Sequence, residues 1–365
     1  MANEDFRTIW LKPGDHSIVQ IIDQRLLPHE FHVHDLCTWR DGVAAITNMV
    51  VRGAPLIGAT AAWSMYLAAL RGDSPADEVR TASTALLNSR PTAVNLRWAV
   101  ERILQLVANA QCDTGLASLI RADAEAICKQ DIEICLGIGR HGLSLLEEIS
   151  RHKAGNTVNV LTHCNAGALA TINWGTATAP LYLAHEAGMD IHVWVDETRP
   201  RNQGSHLTAW ELAERGVPHT LIVDNAGGHL MQHGQVDIVI TGTDRTTCGG
   251  DVANKIGTYL KALAAYDNDV PFYVALPSTT IDWSITDGVR DIPIEERDPR
   301  EVSEIRGVVD ATPCTVRTTA QTTPISNFAF DVTPARLVTG LITERGICDA
   351  SEAGLAELFP EKGAL

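Results

Sequence analysis

Short apolar runs that alternate with helical segments limit the possible folds of this chain more than any other feature of its sequence. Five of these runs have the length and composition of buried strands, namely Val158–Leu161, Ile191–Val195, His219–Val223, Val236–Ile240 and Pro271–Leu276. Helical segments such as Leu181–Ala187 and Leu207–Arg215 separate them. This alternation predicts an α/β domain with a doubly wound, mostly parallel sheet and right-handed crossovers.

Polar or small residues follow each of the five runs. Thr162–Gly167 follows the first, Asp196–Pro200 the second and Asp224–Gly227 the third. One polar ending is unremarkable, because loops are polar. Five endings on one sheet edge predict a polar crevice, and ligands of parallel sheets bind at that edge.

The stretch Val236–Tyr259 combines a strand, a glycine-rich turn and a segment with helical spacing. Asp244 comes just past the carboxyl end of the strand. The spacing predicts a helix over Val252–Ala265, which would put Asn254 and Lys255 in its first turn. Helix N-termini attract anions, although an ordinary loop with a solvated lysine fits this stretch equally well.

The chain before Val158 is mainly helical. Phe6–Leu11 and Ser17–Asp23 flank a Pro-Gly-Asp turn and predict a β-hairpin. The helical patterns that follow are Thr38–Val51, Leu56–Leu70, a long helix opened by Ser89–Thr92 with Pro91 at an early position, and Leu116–Ile149. The expected division is a helical domain with a β-hairpin over residues 1–150 and an α/β domain over residues 151–365.

Three expectations concern the last part of the chain. Phe328–Val332 is expected to be a strand, followed by a helix over Pro334–Arg345. The threonine-rich segment Pro313–Pro324 reads as a loop. The acidic segment Asp291–Asp298 reads as an excursion from the sheet, with a structural role rather than a chemical one.

Composition excludes several classes of protein. A chain of 365 residues with a net charge of -16 is unsuited to general nucleic-acid or anionic-membrane binding. No apolar run reaches the roughly 18 residues that span a bilayer, and the N-terminus lacks the pattern of a secretion signal. The eight cysteines are scattered without a CxxC pair, which predicts reduced thiols and a cytoplasmic location. No phosphate-binding loop or metal-ligand spacing is present, so no cofactor is expected.

Cys164 and Asp244 are the candidates for chemistry, because both follow strands of the predicted sheet and could meet across the crevice. A thiol there could act as a base or nucleophile if its pKa is lowered. A carboxyl group kept from water could donate a proton. The alternatives are a buried inert thiol and a loop-capping aspartate. Adjacent residues at a strand end tend to point in opposite directions, so His163 is not expected to activate Cys164.

Three cations, Arg52, Arg90 and Lys255, are candidates for a phosphate clamp. Arg52 lies in a glycine-containing break between two helices, where backbone N–H groups can also face an anion. Gln203, followed by a glycine, could add an amide donor. Each cation taken alone is more often a surface charge.

Several motifs together resemble one family. They are Arg52–Pro55 (RGAP), Arg90–Leu96 (RPTAVNL), Leu161–Thr171 (LTHCNAGALAT), Glu197–Pro200 (ETRP), Leu207–Leu212 (LTAWEL) and Gly250–Tyr259 (GDVANKIGTY). The chain resembles the methylthioribose-1-phosphate isomerases from about Arg52 to Pro299. Their wider superfamily includes ribose-1,5-bisphosphate isomerase and regulatory subunits of translation initiation factor 2B.

The resemblance implies a helical N-terminal domain, a Rossmann-like C-terminal domain and a homodimer without metal or nucleotide cofactor. It implies conversion of 5-methylthioribose 1-phosphate to the ribulose 1-phosphate in methionine salvage. Catalysis would rest on Cys164 and Asp244. The positions that match the substrate contacts of the family are Arg52, Gly53, Ala54, Arg90, Gln203, Asn254 and Lys255.

This chain departs from the family pattern at Arg201-Asn202, at Ser205-His206 and at Thr247–Gly250 (TCGG). These loops would shape the pocket for the 5-substituent, so 5-deoxyribose 1-phosphate or another 5-modified ribose 1-phosphate is an alternative substrate. A non-catalytic regulatory subunit of the initiation-factor type is the alternative from a different class. Such a subunit would need neither Cys164 nor Asp244.

Overall fold

The structure, a computed structural model, describes residues 6–90, 93–110 and 112–362. A three-stranded antiparallel sheet comes first, made of β1 (Ile9–Lys12), β2 (Asp15–Ile22) and β3 (Val33–Leu36). Strands β1 and β2 form the predicted hairpin, which turns at Pro13 and Gly14.

Five helices follow, namely α1 (Trp39–Thr47), α2 (Ala54–Arg71), α3 (Pro75–Ser89), α4 (Val94–Asn109) and α5 (Leu116–His152). Thr38 and Asp41 form a capping box at the start of α1. Helix α2 is buried along almost its whole length, because the other four helices all pack on it. The predicted helices are confirmed, although Pro91 and Thr92, expected at the opening of α4, lie outside the described residues.

The remaining strands are β4 (Val158–Thr162), β5 (Ile191–Asp196), β6 (His219–Ile222), β7 (Ile238–Thr241), β8 (Arg245–Thr247), β9 (Val252–Lys255), β10 (Phe272–Ala275), β11 (Ile281–Asp282), β12 (Glu304–Val309), β13 (Thr312–Arg317), β14 (Phe330–Thr333), β15 (Gly340–Thr343) and β16 (Gly346–Cys348). The remaining helices are α6 (Ala179–Glu186), α7 (Ala209–Glu214), α8 (Ala226–Gln232), α9 (Thr258–Asp267), α10 (Gly288–Asp291), α11 (Arg300–Ser303) and α12 (Glu352–Leu358). A π-helical turn at Gly204–Thr208 precedes α7.

Seven strands form one sheet in the order β16-β15-β10-β7-β4-β5-β6. All neighbouring pairs are parallel except the edge pair β15–β16. Val160 and Ile238 face the core shared with α5 and α6, whereas Leu161 and Val239 face the core shared with α8 and α9. Strands buried on both faces need continuous apolar sequence. The predicted mostly parallel sheet is therefore confirmed.

One predicted helix is wrong at its start. Val252–Lys255 forms strand β9, which pairs antiparallel with β8 and β14, so Asn254 and Lys255 lie on a strand. Helix α9 begins only at Thr258, after Gly257 turns the chain with a φ of 103°. Pairing with β14, far along the chain, outweighs the local helical spacing.

A second predicted helix, Pro334–Arg345, is also wrong. The chain makes a short 3-10 turn at Ala335–Leu337 and then forms β15, which pairs with β10. Leu341 and Ile342 are fully buried in the cores on opposite faces of the sheet, and this burial outweighs helix propensity. The predicted loop at 313–324 likewise begins within strand β13, in a hairpin with β12.

Helix α5 contributes to both regions of the chain. Ile120 and Ile127 belong to the core of the helical region, whereas Ile138 and Leu146 belong to the core beneath the sheet. The predicted domain boundary after Ser150 falls in the last turn of this helix, and the division into domains stays a prediction. Within the described ranges, no helix combines the length and apolar character needed to cross a membrane.

Candidate active site

Cys164 lies just beyond β4, at the carboxyl edge of the sheet, and is 6% exposed. Its φ of 68° is in the left-handed region, which residues other than glycine rarely occupy. The Cys164 N–H donates to Thr198 Oγ1 (2.9 Å), and the Cys164 carbonyl accepts from Thr208 Oγ1 (2.7 Å). These two bonds hold the strained backbone and so fix the direction of the thiol.

The two residues beside Cys164 each engage a buried carboxylate. His163 Nδ1 lies 2.8 Å from Asp196 Oδ2, and its Nε2 lies 2.9 Å from the Ile256 carbonyl. Asn165 Nδ2 donates to Glu211 Oε1 (3.2 Å). Since both ring nitrogens of His163 have partners, His163 does not activate the Cys164 thiol, as predicted.

Arg52 lies in the break between α1 and α2, as predicted, and donates to the side-chain and main-chain oxygens of Asn165, the latter at 2.7 Å. Gly53 precedes α2 with a φ of 89°, and a Cβ there would lie 2.5 Å from the backbone of Ala170, so glycine is required. The 18-residue helix α2 begins at Ala54, so its unpaired N–H groups lie beside Arg52. A helix N-terminus with an adjacent guanidinium suits a phosphate.

A small cavity of about 40 Å³ brings together Ala54, Arg90 and Asp244. The Arg90 side chain is largely buried, and its Nε has no hydrogen-bond partner. Glu295 lies 3.6 Å from Arg90, so the acidic segment places a carboxyl group beside a predicted substrate contact, which the sequence pattern did not predict. No local signal marks Glu295, because it stands among other charged residues that read as surface.

Lys255 and Asn254 are buried on β9. Asn254 Nδ2 donates to Thr258 Oγ1 (3.0 Å), and Lys255 Nζ lies 4.6 Å from the centre of the Phe330 ring. Lys255 forms no ion pair with any residue that the structure describes. Burial lowers the pKa of Lys255, while the nearby Cys164 and Asp244 oppose that shift.

Gln203 is buried at the start of the π-helical turn, and its side-chain oxygen has no hydrogen-bond partner. It lines a cleft of about 410 Å³ together with Arg52 and three atypical residues, Arg201, Asn202 and His206. The departures at Arg201, Asn202 and His206 therefore lie beside two of the predicted substrate contacts, whereas residues 247–250 do not line this cleft. The cleft and the smaller cavity hold different predicted contacts, and Cys164 lines neither.

The electrostatic surroundings of Cys164 link these parts of the site. Burial is the largest influence and raises the pKa of the Cys164 thiol, and Asp244 acts in the same direction. Arg52 and Lys255 lower this pKa without outweighing burial. The direction of this shift works against the thiolate that the base or nucleophile role would need.

Among the residues that the structure describes, one cluster has ligand atoms close enough for a metal ion. The candidate atoms of His163, Asp196 and Asp224 lie within 4.8 Å of one another. Lys261 Nζ, however, is 3.1 Å from Asp196 Oδ2 and donates to the Asp224 carbonyl. Because Lys261 already supplies the positive charge and His163 has no free nitrogen, these residues do not fit a metal ion.

The sequence model of the initiation factor 2 subunit family (IF-2B) matches residues 50–350. Methylthioribose-1-phosphate isomerase of Desulfatibacillum aliphaticivorans is 56% identical over 360 residues, covering 98% of both chains. The enzyme of the same name from Methylorubrum extorquens is 57% identical over 358 residues, 98% of this chain and 97% of its own.

Two solved structures share the fold. 5-Methylthioribose 1-phosphate isomerase from Pyrococcus horikoshii matches with a TM-score of 0.84 and 38% identity over 98% of this chain and 97% of its own. Subunit delta of translation initiation factor eIF-2B from A. fulgidus matches with a TM-score of 0.80 and 36% identity over 98% of this chain and 100% of its own. The chain therefore belongs to the initiation factor 2 subunit family and, within it, to the methylthioribose-1-phosphate isomerases.

Proposed function

We propose that this chain is an aldose–ketose isomerase that converts 5-methylthio-D-ribose 1-phosphate to 5-methylthio-D-ribulose 1-phosphate in methionine salvage. The observation that carries the proposal is the position of Cys164 and Asp244 just beyond the paired parallel strands β4 and β7, with Arg52 held beside Cys164 by Asn165. Membership of the isomerase family supports the same reaction. Turnover of the named substrate to a ketose is the direct test.

The phosphate end of the substrate binds to Arg52, Arg90 and the N-terminus of α2 at Gly53 and Ala54. The Arg90 Nε–H supports this assignment, because it is a buried donor without a partner and a phosphate oxygen can accept from it. Gln203 Oε1 is a buried acceptor without a partner, so it suits a sugar hydroxyl. A buried polar group without a partner costs free energy, which a ligand can recover. Asn254 and Lys255 take the sugar hydroxyls, since they lie on β9 next to the residues assigned to the chemistry.

Phosphate on the anomeric oxygen keeps the sugar in a ring, so the ring must open while the phosphate stays attached. Asp244 acts as general acid and donates its proton to the ring oxygen as the bond from that oxygen to C1 breaks. Hydride then moves from C2 to C1, and the C2 hydroxyl gives its proton to the Asp244 carboxylate. The product is the ketose, and Asp244 is again protonated.

Cys164 stabilises the migrating charge as a neutral thiol in this route. The rival route uses a Cys164 thiolate as the base that moves the C2 proton to C1 through an enediol. The raised pKa of Cys164 favours hydride transfer, because little thiolate is present at neutral pH.

Substrate with deuterium at C2 separates the two routes. Hydride transfer should leave the deuterium at C1 of the product, and extensive loss to water would instead support the thiolate base. A thiolate shielded from water could also return the label, but kcat would then rise with pH as the thiol ionises.

The 5-substituent faces the cleft that contains Arg201, Asn202 and His206. Burial, with His29, Arg306 and Arg201 acting in the same direction, lowers the pKa of His206 to about 4. A neutral His206 suits an uncharged 5-substituent. A panel of 5-methylthio, 5-deoxy and unsubstituted ribose 1-phosphates should give the highest kcat/KM for the methylthio sugar. Preference for the 5-deoxy sugar would reassign the substrate.

The likeness to an archaeal eIF-2B subunit favours a regulatory subunit as the second candidate. Retention of both Cys164 and Asp244 argues against it, because a binding module needs neither group. Phosphate binding without ketose formation from any sugar in the panel would support the regulatory role.

A homodimer in the cytoplasm is also part of this proposal. Edge strand β6 ends beside exposed apolar residues, since Leu221 is 47% and Val223 is 59% exposed. Covering these side chains would stabilise a dimer. Light scattering should give twice the chain mass of 39.5 kDa. Val223→Glu should shift the mass towards one chain.

A further inference from the structure

We propose that the two neighbours of Cys164 anchor two separable halves of the site. His163 is a positioning residue for the groups that act on the sugar. Glu211 is a positioning residue, acting through Asn165, for the phosphate-binding Arg52. The prediction that one half affects kcat and the other KM rests on the proposed function. The separation into two halves can be tested without that function, by measuring the binding of inorganic phosphate.

The hydrogen bonds of His163 hold its ring at both nitrogens. Nδ1 lies against Asp196 Oδ2, and Nε2 lies against the Ile256 carbonyl. The ring is fully buried between Asp196 and Asp224, whose Oδ1 lies 3.9 Å away, and Lys261 pairs with Asp196. A ring held at both nitrogens cannot turn without breaking one of these contacts.

The His163 ring connects three parts of the sugar half. Its own backbone leads directly to Cys164. Its Nε2–H holds the carbonyl of Ile256, the residue after Lys255. Its Nδ1 lies against Asp196, at the end of the strand whose following loop supplies Thr198 to the Cys164 N–H. The absence of a side chain at Gly257 makes room, because a Cβ there would lie 3.0 Å from the ring.

The phosphate half is built on Glu211. This buried carboxylate accepts hydrogen bonds from the Ala168 and Leu169 N–H groups (2.9 and 2.8 Å) and from the Tyr182 hydroxyl (2.9 Å). It also accepts from Asn165 Nδ2, which leaves Asn165 Oδ1 to receive the Arg52 guanidinium. Glu211 therefore fixes the orientation of the Asn165 amide, and the amide fixes Arg52.

The two networks share no side chain. The His163 ring contacts the end of β5 and the residue that follows β9. Glu211, on α7, binds the turn after Cys164. The backbone of Cys164 lies between them, together with the Thr208 hydroxyl, which donates to the Cys164 carbonyl and accepts from Asn165 Nδ2. Damage to one network should therefore leave the other in place.

The test compares His163→Gln with Glu211→Gln, each checked for an unchanged circular dichroism spectrum. His163→Gln should lower kcat about 100-fold, the cost of a misplacement near 1 Å, with KM changed less than about threefold. Glu211→Gln should raise KM about tenfold and weaken inorganic phosphate binding by a similar factor in calorimetry, with kcat nearly unchanged.

Milder variants keep the test decisive if either substitution prevents folding. Thr198→Val removes the hydroxyl that accepts from the Cys164 N–H and should lower kcat alone. Tyr182→Phe removes one bond to Glu211 and should raise KM alone. The matched controls His233→Gln and Glu214→Gln, at exposed positions, should change neither constant.

The proposal would be overturned if a variant of either half changed kcat and KM equally. It would also be overturned if the His163 variant mainly raised KM and the Glu211 variant mainly lowered kcat. The same holds if His163→Gln weakens phosphate binding as much as Glu211→Gln does. The protein could instead isomerise no sugar while Glu211→Gln, but not His163→Gln, weakens phosphate binding. That result would support the separation into two halves and reject the proposed reaction.

Discussion

Replacing Lys255 with methionine should make the protein more stable and inactive. The Lys255 side chain is buried without an ion pair among the described residues, and burial lowers its pKa. Burying an ammonium group costs several kcal/mol, of which the contact with the Phe330 ring at 4.6 Å returns about 2 kcal/mol. Methionine has a similar length and no charge, so the free energy of unfolding should rise by about 1–3 kcal/mol.

The pH dependence of this gain has a definite sign. The pKa of Lys255 in the folded protein lies below its ordinary value of 10.5, so between these two values the unfolded chain binds more protons than the folded one. Wild-type stability therefore rises with pH through this window. The advantage of Lys255→Met is complete below the folded-state pKa and shrinks as the pH approaches 10.5.

Urea denaturation with and without inorganic phosphate measures both effects. Phosphate should raise the urea midpoints of the wild type and of the variant by similar amounts, because the anion binds at Arg52, Arg90 and the N-terminus of α2 and not at Lys255. The kinetic assay should detect almost no turnover by Lys255→Met. A variant with native circular dichroism but a lower unfolding free energy than wild type would refute the premise that Lys255 is an uncompensated charge.

Three further predictions test other parts of the site. Asp244→Asn should fold normally and lose nearly all turnover, because an amide neither donates nor accepts the required proton; turnover close to wild type would remove Asp244 from the mechanism. Arg90→Ala should raise KM and cost up to about 3 kcal/mol of transition-state binding, and unchanged kinetics in the folded variant would exclude Arg90 as a ligand. Iodoacetamide at neutral pH should label exposed Cys112 well before Cys164, with labelling of Cys164 accelerating as pH rises; equal rates by mass spectrometry would contradict a buried, protonated thiol.

The parallel strands were predictable because their environment leaves a local signature. A strand such as Val158–Thr162 is buried on both faces, so its side chains are apolar without interruption. Cys164 and Asp244 follow two such strands, and parallel pairing through β4 and β7 brings their ends to one edge. The place of both residues in the site could therefore be predicted before the structure was known.

The errors arise where distant pairing decides local structure. Asn254 and Lys255 have helical spacing, but their backbone bonds go to β14. The roles of Glu211 and Glu295 also depend on distant partners, since Glu211 binds the turn after Cys164 and Glu295 lies against Arg90. The pKa direction of Cys164 depends on burial, which adjacent residues do not reveal.

Helix α5 has a consequence for how the protein folds and how it can be divided. Its 37 residues extend about 55 Å, with one end packed in the helical core and the other beneath the sheet. Unfolding either core would expose one half of α5 while the other half stays packed. The two cores should therefore unfold together, and amide hydrogens along α5 should exchange in one cooperative opening. A fragment cut after Ser150 would lose Ile138 and Leu146 from the sheet core. The sheet can therefore be transplanted as an independent module only together with the last part of α5.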